Sequence, residues 1–515
     1  MRRPLPFVIA ALGAAQLLAC APKPVPFTAR LVTQSCLDPS PMEGVTHFRF
    51  RVTGEGMDPL VVDAPINAHA QSVPDVPVGS HRVLEVRGYA GDPAKGGRVI
   101  SVGRTLPFDV PSVAPTDGSA GVLQVVLRRV NVFEPPNLAS APTQCTQLTE
   151  PRAGQTATLL SDGRVFIAGG YRLDGSGGVQ TLASSELYDP STGAFKAGPD
   201  VGVTDSQQTF VASPRAFHTA TLLPGDQVLL AGGEVQTAGT TAALASALVF
   251  DPISHVYGAL TLHTARTHHA AAADAEGHVL LVGGMDASGA AVASPEVYDA
   301  STGTSRLLPL SLPRIGAVAT AVGDGSAIAV VGGTDGTTLA LDVPFFGFDG
   351  TTLSLLGAHV TLTEGRRSAG VAPFQDAGAA LVVGGYAESD PTQTLTGVAS
   401  TEVIEGGATP SLVAGPSIDG RGDLCAAALA EGQVLTAGGR TVSFDGQAVP
   451  TDEAELVTVT PNGDTTTLGM PPLPAPRWQH TCTALGDGSV LILGGVNEAG
   501  VLQDAAIFMP APRDE

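Results

Sequence analysis

The amino-acid sequence predicts an all-β protein in which a small β-sandwich precedes a seven-bladed β-propeller. Three observations support this fold class. Seven Gly-Gly pairs in the same register recur from residue 151 onward, an Arg stands 17 or 18 residues before each of them, and strand-like runs separated by turn residues fill the region before the repeats. The composition agrees, because 63 Gly and 40 Pro in 515 residues suit many short strands joined by tight turns.

The length of the chain predicts the number of domains, and its net charge excludes one class of partner. The chain is too long for one compact core, so we expect two or three domains. A formal net charge of −22 repels phosphate backbones, and no Lys/Arg-rich run interrupts it. Nucleic acid is therefore not an expected partner.

Residues 1–20 predict a lipoprotein signal peptide. Two Arg residues precede an apolar run from Phe7 to Leu18, which is too short to span a bilayer but fits a signal sequence. The run ends in Leu17-Leu18-Ala19-Cys20, which resembles the bacterial lipobox. That resemblance implies lipidation of Cys20, a tether over residues 21–25, and attachment to a membrane through the lipid anchor only. An ordinary secretory signal is the alternative. Because no Asp follows Cys20, we expect the outer membrane of the bacterial cell envelope.

Residues 26–134 predict the small β domain. Apolar and polar residues alternate in strand-like runs such as His47 to Val52. The pattern resembles an immunoglobulin-like or prealbumin-like sandwich. We interpret this domain as a spacer between the anchor and the larger domain.

Residues 140–512 carry seven repeats in register. The glycine pairs are Gly169-Gly170, Gly232-Gly233, Gly283-Gly284, Gly332-Gly333, Gly384-Gly385, Gly438-Gly439 and Gly494-Gly495. The Arg residues that precede them, here called the register arginines, are Arg152, Arg215, Arg266, Arg314, Arg366, Arg421 and Arg477. An Asp-Gly-like turn lies between Arg and Gly-Gly in most repeats, followed by a strand that is apolar on both faces. After Gly-Gly, a polar loop leads to a third strand such as Glu186-Leu187-Tyr188-Asp189.

This arrangement resembles the kelch repeat of galactose-oxidase-like propellers, over about residues 140–510. The resemblance implies four-stranded blades around an axis. Some members of that family are copper oxidases that use Tyr and His ligands, one Tyr being cross-linked to a Cys, with a further His from a C-terminal domain. Here the sequence ends soon after the last Gly-Gly pair and shows no Tyr and His at that spacing. We therefore expect no cofactor and no catalytic residue of that kind.

His218, His269 and His480 each stand three residues after a register arginine, and His268 is adjacent to one of them. A ring of imidazoles could bind a metal at the axis. The alternative, which we favour, is packing and hydrogen bonding within the repeat, so we assign no metal ligand. The register arginines could likewise capture an anion, but pairing with carbonyls or acids is the expected role. Arg421-Gly422-Asp423 spells a cell-adhesion tripeptide, yet its position at the start of an inner strand argues against adhesion.

Four cysteines remain beside Cys20, and in an exported chain they suggest two disulfides. Cys425 and Cys482 follow the register arginines of adjacent repeats, which favours pairing them and leaves Cys36 with Cys145. Four buried free thiols are the alternative.

The predicted function is a non-catalytic envelope lipoprotein whose propeller binds or scaffolds a protein or glycan. A carbohydrate-active enzyme (hydrolase, lyase, epimerase or oxidase) is the alternative. Strand parity places the long second-to-third and fourth-to-first connections on one face, where we expect the partner. We also expect the segment from Thr143 to Leu148 to pair with Ala505 to Met509 and to close the ring.

Overall fold

The computed structural model describes residues 28–66, 75–111, 122–207, 209–237, 239–350, 352–374, 378–389, 394–407, 409–443, 447–459 and 465–513. The predicted signal peptide, Cys20 and the tether lie outside the described residues. Within these ranges no helix has the length and hydropathy of a membrane span. The helices there are two short 3-10 turns, Pro93–Lys95 and Ala430–Gly432.

Seven four-stranded antiparallel sheets form the blades of a propeller. In blades 1 to 6 the four strands follow one another in chain order. Blade 1 is Thr156–Leu159, Val165–Ala168, Ser185–Asp189, Ala194–Ala197; blade 2 is Thr219–Leu222, Val228–Ala231, Ser246–Asp251, Val256–Thr261; blade 3 is Ala270–Ala273, His278–Val282, Glu296–Asp299, Thr304–Leu307. Blade 4 is Val318–Val322, Ala327–Val331, Asp342–Phe348, Leu353–Thr361; blade 5 is Gly370–Phe374, Ala379–Val383, Thr401–Glu405, Ser411–Ala414; blade 6 is Cys425–Ala428, Gln433–Ala437, Ala454–Val459, Thr465–Gly469. Blade 7 is Thr481–Ala484, Val490–Leu493, Ala505–Phe508 and Phe133–Glu134.

The second strand of each blade is the apolar run before Gly-Gly, and it is buried on both faces. In blade 1, Val165 and Ile167 pack in one cluster with blade 7, whereas Phe166 and Ala168 pack in another with blade 2. A strand between two neighbouring blades has no solvent-facing side, which is why polar residues do not alternate with apolar ones here.

The glycine pairs join each blade to the next. Both glycines of every pair have positive φ, which favours glycine over any residue with a Cβ. A Cβ on Gly169 would lie only 2.3 Å from the carbonyl oxygen of Arg215 in the next blade. The N–H of Gly170 donates to that same oxygen at 2.9 Å, and the equivalent bond recurs around the ring to Gly495, which donates to Arg152 at 2.9 Å. The glycine pairs therefore form the contact between each blade and the next.

The ring is closed in blade 7 by a strand from before the repeats, but not by the predicted one. Phe133–Glu134 pairs with Ala505–Phe508 as the outermost strand, so the prediction for the segment from Thr143 to Leu148 is wrong. Ala141–Cys145 instead forms a small sheet with Asn137–Leu138. Leu148 does contact blade 7 through a hydrogen bond from its N–H to the carbonyl oxygen of Gln503, 3.1 Å. The innermost strands of the seven blades contact one another in an unbroken cycle.

A β-sandwich precedes the propeller. Its larger sheet contains Leu60–Pro65, His47–Thr53, Gly79–Ala90, Arg98–Arg104, Arg128–Arg129 and Phe108–Val110, and its smaller sheet contains Thr28–Val32 and Val122–Val126. Phe50, Val52, Leu84, Val86 and Val125 form the centre of its core. The alternation from His47 to Val52 is confirmed, since every second residue of that strand is buried.

The propeller has two different faces. The hairpin face carries the first-to-second and third-to-fourth turns, and the loop face carries the longer connections, because successive strands are antiparallel. On the loop face, short hairpins extend the connections: Tyr171–Leu173 with Val179–Thr181, Gly202–Thr204 with Phe210–Ala212, Glu234–Thr237 with Thr240–Ala243, Arg440–Val442 with Ala448–Pro450, and Val496–Asn497 with Gly500–Val501.

The β-sandwich lies against the hairpin face at blades 1 and 7. The side chain of Leu106 is so close to Gly163 and Gly486, both in first-to-second turns, that a Cβ on either glycine would clash with it. Gln124 donates through Nε2 to the carbonyl oxygen of Ser191 in a third-to-fourth turn, 2.5 Å. The predicted disulfide between Cys36 and Cys145 is confirmed and joins the sandwich to the first turn region of the propeller.

Candidate ligand site at the mouth of the propeller

The register arginines are buried inside their blades. Six have no exposed surface and the seventh, Arg314, is 5% exposed. In blade 5, Arg366 donates through Nη1 to the carbonyl oxygen of Gly384 at 3.1 Å and through Nη2 to Glu402 Oε2 at 2.9 Å. These bonds tie the first strand to the ends of the second and third strands, so the guanidinium groups do not form an anion-binding ring at the axis.

An acid on or directly before the third strand pairs with the register arginine in six blades. These acids are Glu186, Glu296, Asp342, Glu402, Glu455 and Asp504. In blade 2, Arg215 instead donates to the hydroxyls of Ser213 and Ser246, at 2.8 and 3.1 Å. Burial lowers the pKa of Arg215 to about 10. Pairing with carbonyls or acids was the expected role of the register arginines, but the individual acids were not identified, although Glu186 and Glu296 both precede a Tyr-Asp pair by two residues.

The three histidines that follow register arginines connect neighbouring blades. Nε2 of His218 lies 3.0 Å from Thr156 Oγ1, and Nε2 of His269 lies 3.0 Å from Thr219 Oγ1. Nε2 of His480 lies 3.1 Å from Cys425 Sγ. Burial lowers the pKa of each imidazole, for His480 to about 3. Because each ring reaches a different blade, the three imidazoles do not converge on one metal.

Two groups of side chains in the described ranges bring three ligand atoms of His, Cys, Asp or Glu together. One contains His480 with Cys425 and Cys482. Those cysteines form the second predicted disulfide, which is confirmed. The other contains Asp274, Glu276 and His278 on the hairpin face. There Asp274 accepts hydrogen bonds from the N–H groups of the other two residues and so caps the turn.

A ring of seven residues surrounds the axis on the loop face, where each inner strand begins. Each member stands two residues after a register arginine and has φ between 51 and 68°. The members are Gly154, Phe217, His268, Gly316, Ser368, Asp423 and Gln479. Backbone hydrogen bonds join neighbours in this ring, for example from Phe217 N to Gly154 O at 2.9 Å and from Gly154 N to Gln479 O at 3.0 Å. We call this ring and its immediate neighbours the mouth.

Positive φ is unfavourable for five of these seven residues. A residue with a bulky side chain, such as Phe217 or His268, loses of order 1–3 kcal/mol of stability when its backbone adopts the left-handed region. Residues strained in this way concentrate at functional sites. Here the interblade hydrogen bonds hold the backbone in that conformation. The result is that the side chains at these positions are presented around one opening.

An arginine between two aromatic rings occupies one side of the mouth. The Arg440 guanidinium lies 3.8 Å from the Trp478 ring centroid and 5.8 Å from that of Tyr386. Its Nη2 donates to Asp423 Oδ2 at 2.5 Å, and the Tyr386 hydroxyl donates to the same oxygen at 3.1 Å. Arg367 adds a second guanidinium, 5.4 Å from the Tyr386 ring centroid. These groups are planar and held on both sides, so they form a rigid wall.

Aromatic rings and an acid–imidazole pair occupy the other side. Phe217 stacks on His268 with 4.2 Å between ring centroids and lies 5.8 Å from the ring of Tyr171. Thr267 Oγ1 donates to Glu234 Oε2 at 3.0 Å, and His268 Nδ1 lies 3.7 Å from that oxygen. Burial raises the pKa of Glu234 and lowers that of His268 to about 4. The two groups are thus candidates for proton transfer.

The mouth was only partly visible in the sequence. His268 and Asp423 stand out there as single residues, without a shared location. Tyr171, Glu234, Tyr386 and Arg440 were not singled out, yet each directly follows a Gly-Gly pair. The usable signals were therefore two register positions, one after Gly-Gly and one two residues after the arginine.

Comparison with known proteins supports the fold. No protein-family model and no curated protein matches the sequence. Among solved structures, the chain is similar to YjhT, with 13% identity, a TM-score of 0.45, and coverage of 72% of this chain and 97% of that one. It is also similar to a fungal alcohol oxidase of the AA5 family in complex with copper, with 16% identity, a TM-score of 0.50, and coverage of 71% and 76% respectively. The likeness to the alcohol oxidase supports the fold seen here, a seven-bladed β-propeller.

The side chains at the mouth do not fit a copper site built from Tyr and His. His268 is the one imidazole among the described residues of the ring. The Tyr386 hydroxyl is engaged by Asp423, and the Tyr171 hydroxyl donates to Gln479 Oε1 at 2.6 Å. Copper sites in proteins favour several imidazoles around one point, and that arrangement is missing from the described mouth. We assign no copper chemistry to it.

Proposed function

We propose that this galactose-oxidase-like propeller is the ligand-binding module of a bacterial envelope lipoprotein, and that it binds a glycan at the mouth. One observation carries the proposal. Seven equivalent backbone positions adopt positive φ around one opening, and five of them carry a side chain instead of glycine. Backbone strain of this kind concentrates at functional sites, so we expect the side chains around this opening to contact the ligand.

The chemistry of the mouth suits a polyhydroxylated ligand. The rings of Trp478, Tyr171 and Phe217 offer apolar faces. Planar hydrogen-bonding groups on Asp423, Gln479 and Arg440 lie beside them. Such a mixture of aromatic surface and few convergent polar groups is typical of small-molecule sites. The excess of acidic residues, with a net charge of −22, disfavours a polyanionic glycan.

A carbohydrate-active enzyme is the second candidate, and the pair formed by Glu234 and His268 favours it. A carboxyl group with a raised pKa beside an imidazole with a lowered pKa is a common acid–base arrangement. The two readings differ in what happens to the ligand. A binding module returns its glycan unchanged, whereas an enzyme returns a hydrolysed, cleaved or epimerised product that Glu234→Gln no longer forms.

The mouth is tested by Phe217→Gly. Glycine adopts φ of 52° without strain, so the free energy of unfolding should change by less than about 1 kcal/mol. The loss of the ring contacts with His268 and Tyr171 should weaken glycan binding by roughly tenfold or more. A glycan array on the mature protein identifies the probe, and calorimetry with the strongest glycan measures the affinity.

A matched control lies on the opposite face. Phe348 also stacks on an imidazole, that of His278, with 4.3 Å between ring centroids. Phe348→Ala should leave glycan affinity unchanged. Equal affinity in wild type and Phe217→Gly would place the ligand elsewhere. If the array shows no glycan and crosslinking from the mouth captures an envelope protein, the ligand class proposed here is wrong.

Lipidation is tested by Cys20→Ser. The sequence from Leu17 to Cys20 motivates this prediction. The acyl chains hold the protein through hydrophobic transfer of their methylene groups. Their loss should move nearly all of the protein from the outer-membrane fraction to the soluble fraction. Mass spectrometry of the mature N-terminus is the direct check, and a variant that still carries acyl chains and still fractionates with membranes would rule out Cys20 as the anchor.

A further inference from the structure

Blade 4 departs from its neighbours at the register arginine. In blade 1, Arg152 pairs with Glu186 on the third strand. In blade 4, Pro344 stands at the place of that Glu, beside a register shift in the pairing of the third and fourth strands. Proline has no acidic group, so Arg314 pairs instead with Asp342, whose side chain is 57% exposed.

The side chain of Arg314 consequently has fewer hydrogen-bond partners within the described chain than that of Arg477. The two hydrogen bonds that the Arg314 side chain makes within the described chain both run from Nη2 to Asp342, to Oδ1 at 2.7 Å and to the carbonyl oxygen at 3.5 Å. Arg477 in blade 7 provides a direct comparison, because its partner Asp504 stands at the same register as Asp342. Arg477 donates to both carboxylate oxygens of Asp504 and to the carbonyl oxygens of Ala475 and Gly494.

The side chain of Arg314 lines a groove of about 510 Å³ on the loop face. The guanidinium group is buried, with Arg314 only 5% exposed. Its Nε has no hydrogen-bond partner in the described structure, as is also true of Nε in Arg152, Arg266 and Arg366. Leu312, Leu339 and Leu341 supply apolar walls, and Asp335, Asp342 and His359 also line the groove. Leu341 is 45% exposed although it is a large apolar residue. A guanidinium group whose one ion-pair partner is a half-exposed carboxylate, placed beside apolar walls, suits an anion that carries a hydrocarbon group.

We propose that this groove above blade 4 is a second binding site, for a small organic carboxylate that carries an apolar group. Arg314 binds the carboxylate of the ligand, and Leu312, Leu339 and Leu341 contact its apolar group. Asp342 holds the guanidinium while no ligand is bound and competes with the ligand for it. The site is independent of the mouth, since it uses no residue of the ring of positive φ.

The test compares two Asp→Asn variants that change the net charge equally. Asp342→Asn removes the competing carboxylate, so hexanoate should bind roughly fivefold or more tightly than to the wild type. Asp504→Asn alters a pair outside the groove and should leave hexanoate affinity within about twofold. Calorimetric titration of the full chain gives both values. Equal affinities in the two variants would overturn the proposal.

Three further measurements define the ligand chemistry. Hexanamide, which lacks the charge, and acetate, which lacks the apolar chain, should each bind roughly tenfold more weakly than hexanoate. Leu341→Asp should weaken hexanoate binding, whereas Phe217→Gly should not. A short peptide that ends in Leu, tested with a free or an amidated C-terminus, distinguishes a peptide carboxylate from a free acid as the source. Binding of hexanamide as tight as that of hexanoate would contradict the role of Arg314.

Discussion

Replacing Arg366 by Met is expected to lower the free energy of unfolding by about 3–5 kcal/mol, because it removes one partner of a buried ion pair. Arg366 and Glu402 are both fully or almost fully buried. Removing the cation leaves a buried carboxylate without its partner, and it also leaves the carbonyl oxygens of Gly384 and Ser400 without their donor. Chemical denaturation of the mature protein, monitored at the unfolding transition of the propeller, measures the loss of unfolding free energy.

Two controls separate the buried pair from an ordinary ion pair. Arg164 pairs with Asp162 at the surface, where the two side chains are 33% and 44% exposed. Arg164→Met should cost no more than about 1 kcal/mol. The double variant Arg366→Met, Glu402→Leu removes both charges and should recover much of the lost stability. A loss in Arg366→Met no greater than that in Arg164→Met would show that the register arginine does not hold the blade together.

Replacing Cys36 and Cys145 by Ala is expected to lower the free energy of unfolding by about 2–5 kcal/mol. This disulfide closes a segment of the chain 109 residues long, so its loss releases much conformational freedom in the unfolded state. The segment contains Phe133–Glu134, the strand that completes blade 7. Native stability should therefore fall in both the sandwich and the propeller, and hydrogen exchange should rise in blade 7.

The second disulfide gives the comparison. Cys425 and Cys482 are 57 residues apart and join the first strands of blades 6 and 7. Their replacement by Ala removes a cross-link that closes a shorter segment of the chain. It should not accelerate hydrogen exchange in Phe133–Glu134. If the Cys36 and Cys145 variant leaves exchange in blade 7 unchanged, the closing strand is held by its own hydrogen bonds and by the packing of Phe133 on Phe508 alone.

The propeller could be predicted because its repeat motif is itself a set of contacts. Each Gly-Gly pair needs positive φ and close approach to the next register arginine, so the same residues recur wherever a blade meets a blade. The closing strand could not be predicted in this way. Phe133–Glu134 is two residues long and makes its contacts outside the repeats, so no periodicity marks it. Its place was therefore assigned to a neighbouring segment.

The mouth shows the same limit for function. Asp423 and Arg440 belong to the sixth repeat and Trp478 belongs to the seventh, so the three side chains meet only where these two blades pack together. The repeat motif does not identify them, because the residue types at these two register positions differ from one repeat to the next. The groove at Arg314 depends on a single proline in the third strand of blade 4, which reads in the sequence as a minor departure from the motif. In both places the informative signal is a difference between equivalent positions of the repeats.

The position of the sandwich also decides how a large ligand can approach. The sandwich covers part of the hairpin face at blades 1 and 7, and the chain leading to its first strand comes from the N-terminus. Under the proposed lipidation of Cys20, the sandwich would stand between the anchor and the hairpin face. The mouth and the groove above blade 4 lie on the loop face, opposite the sandwich. A long polymer could reach either of them without passing the sandwich.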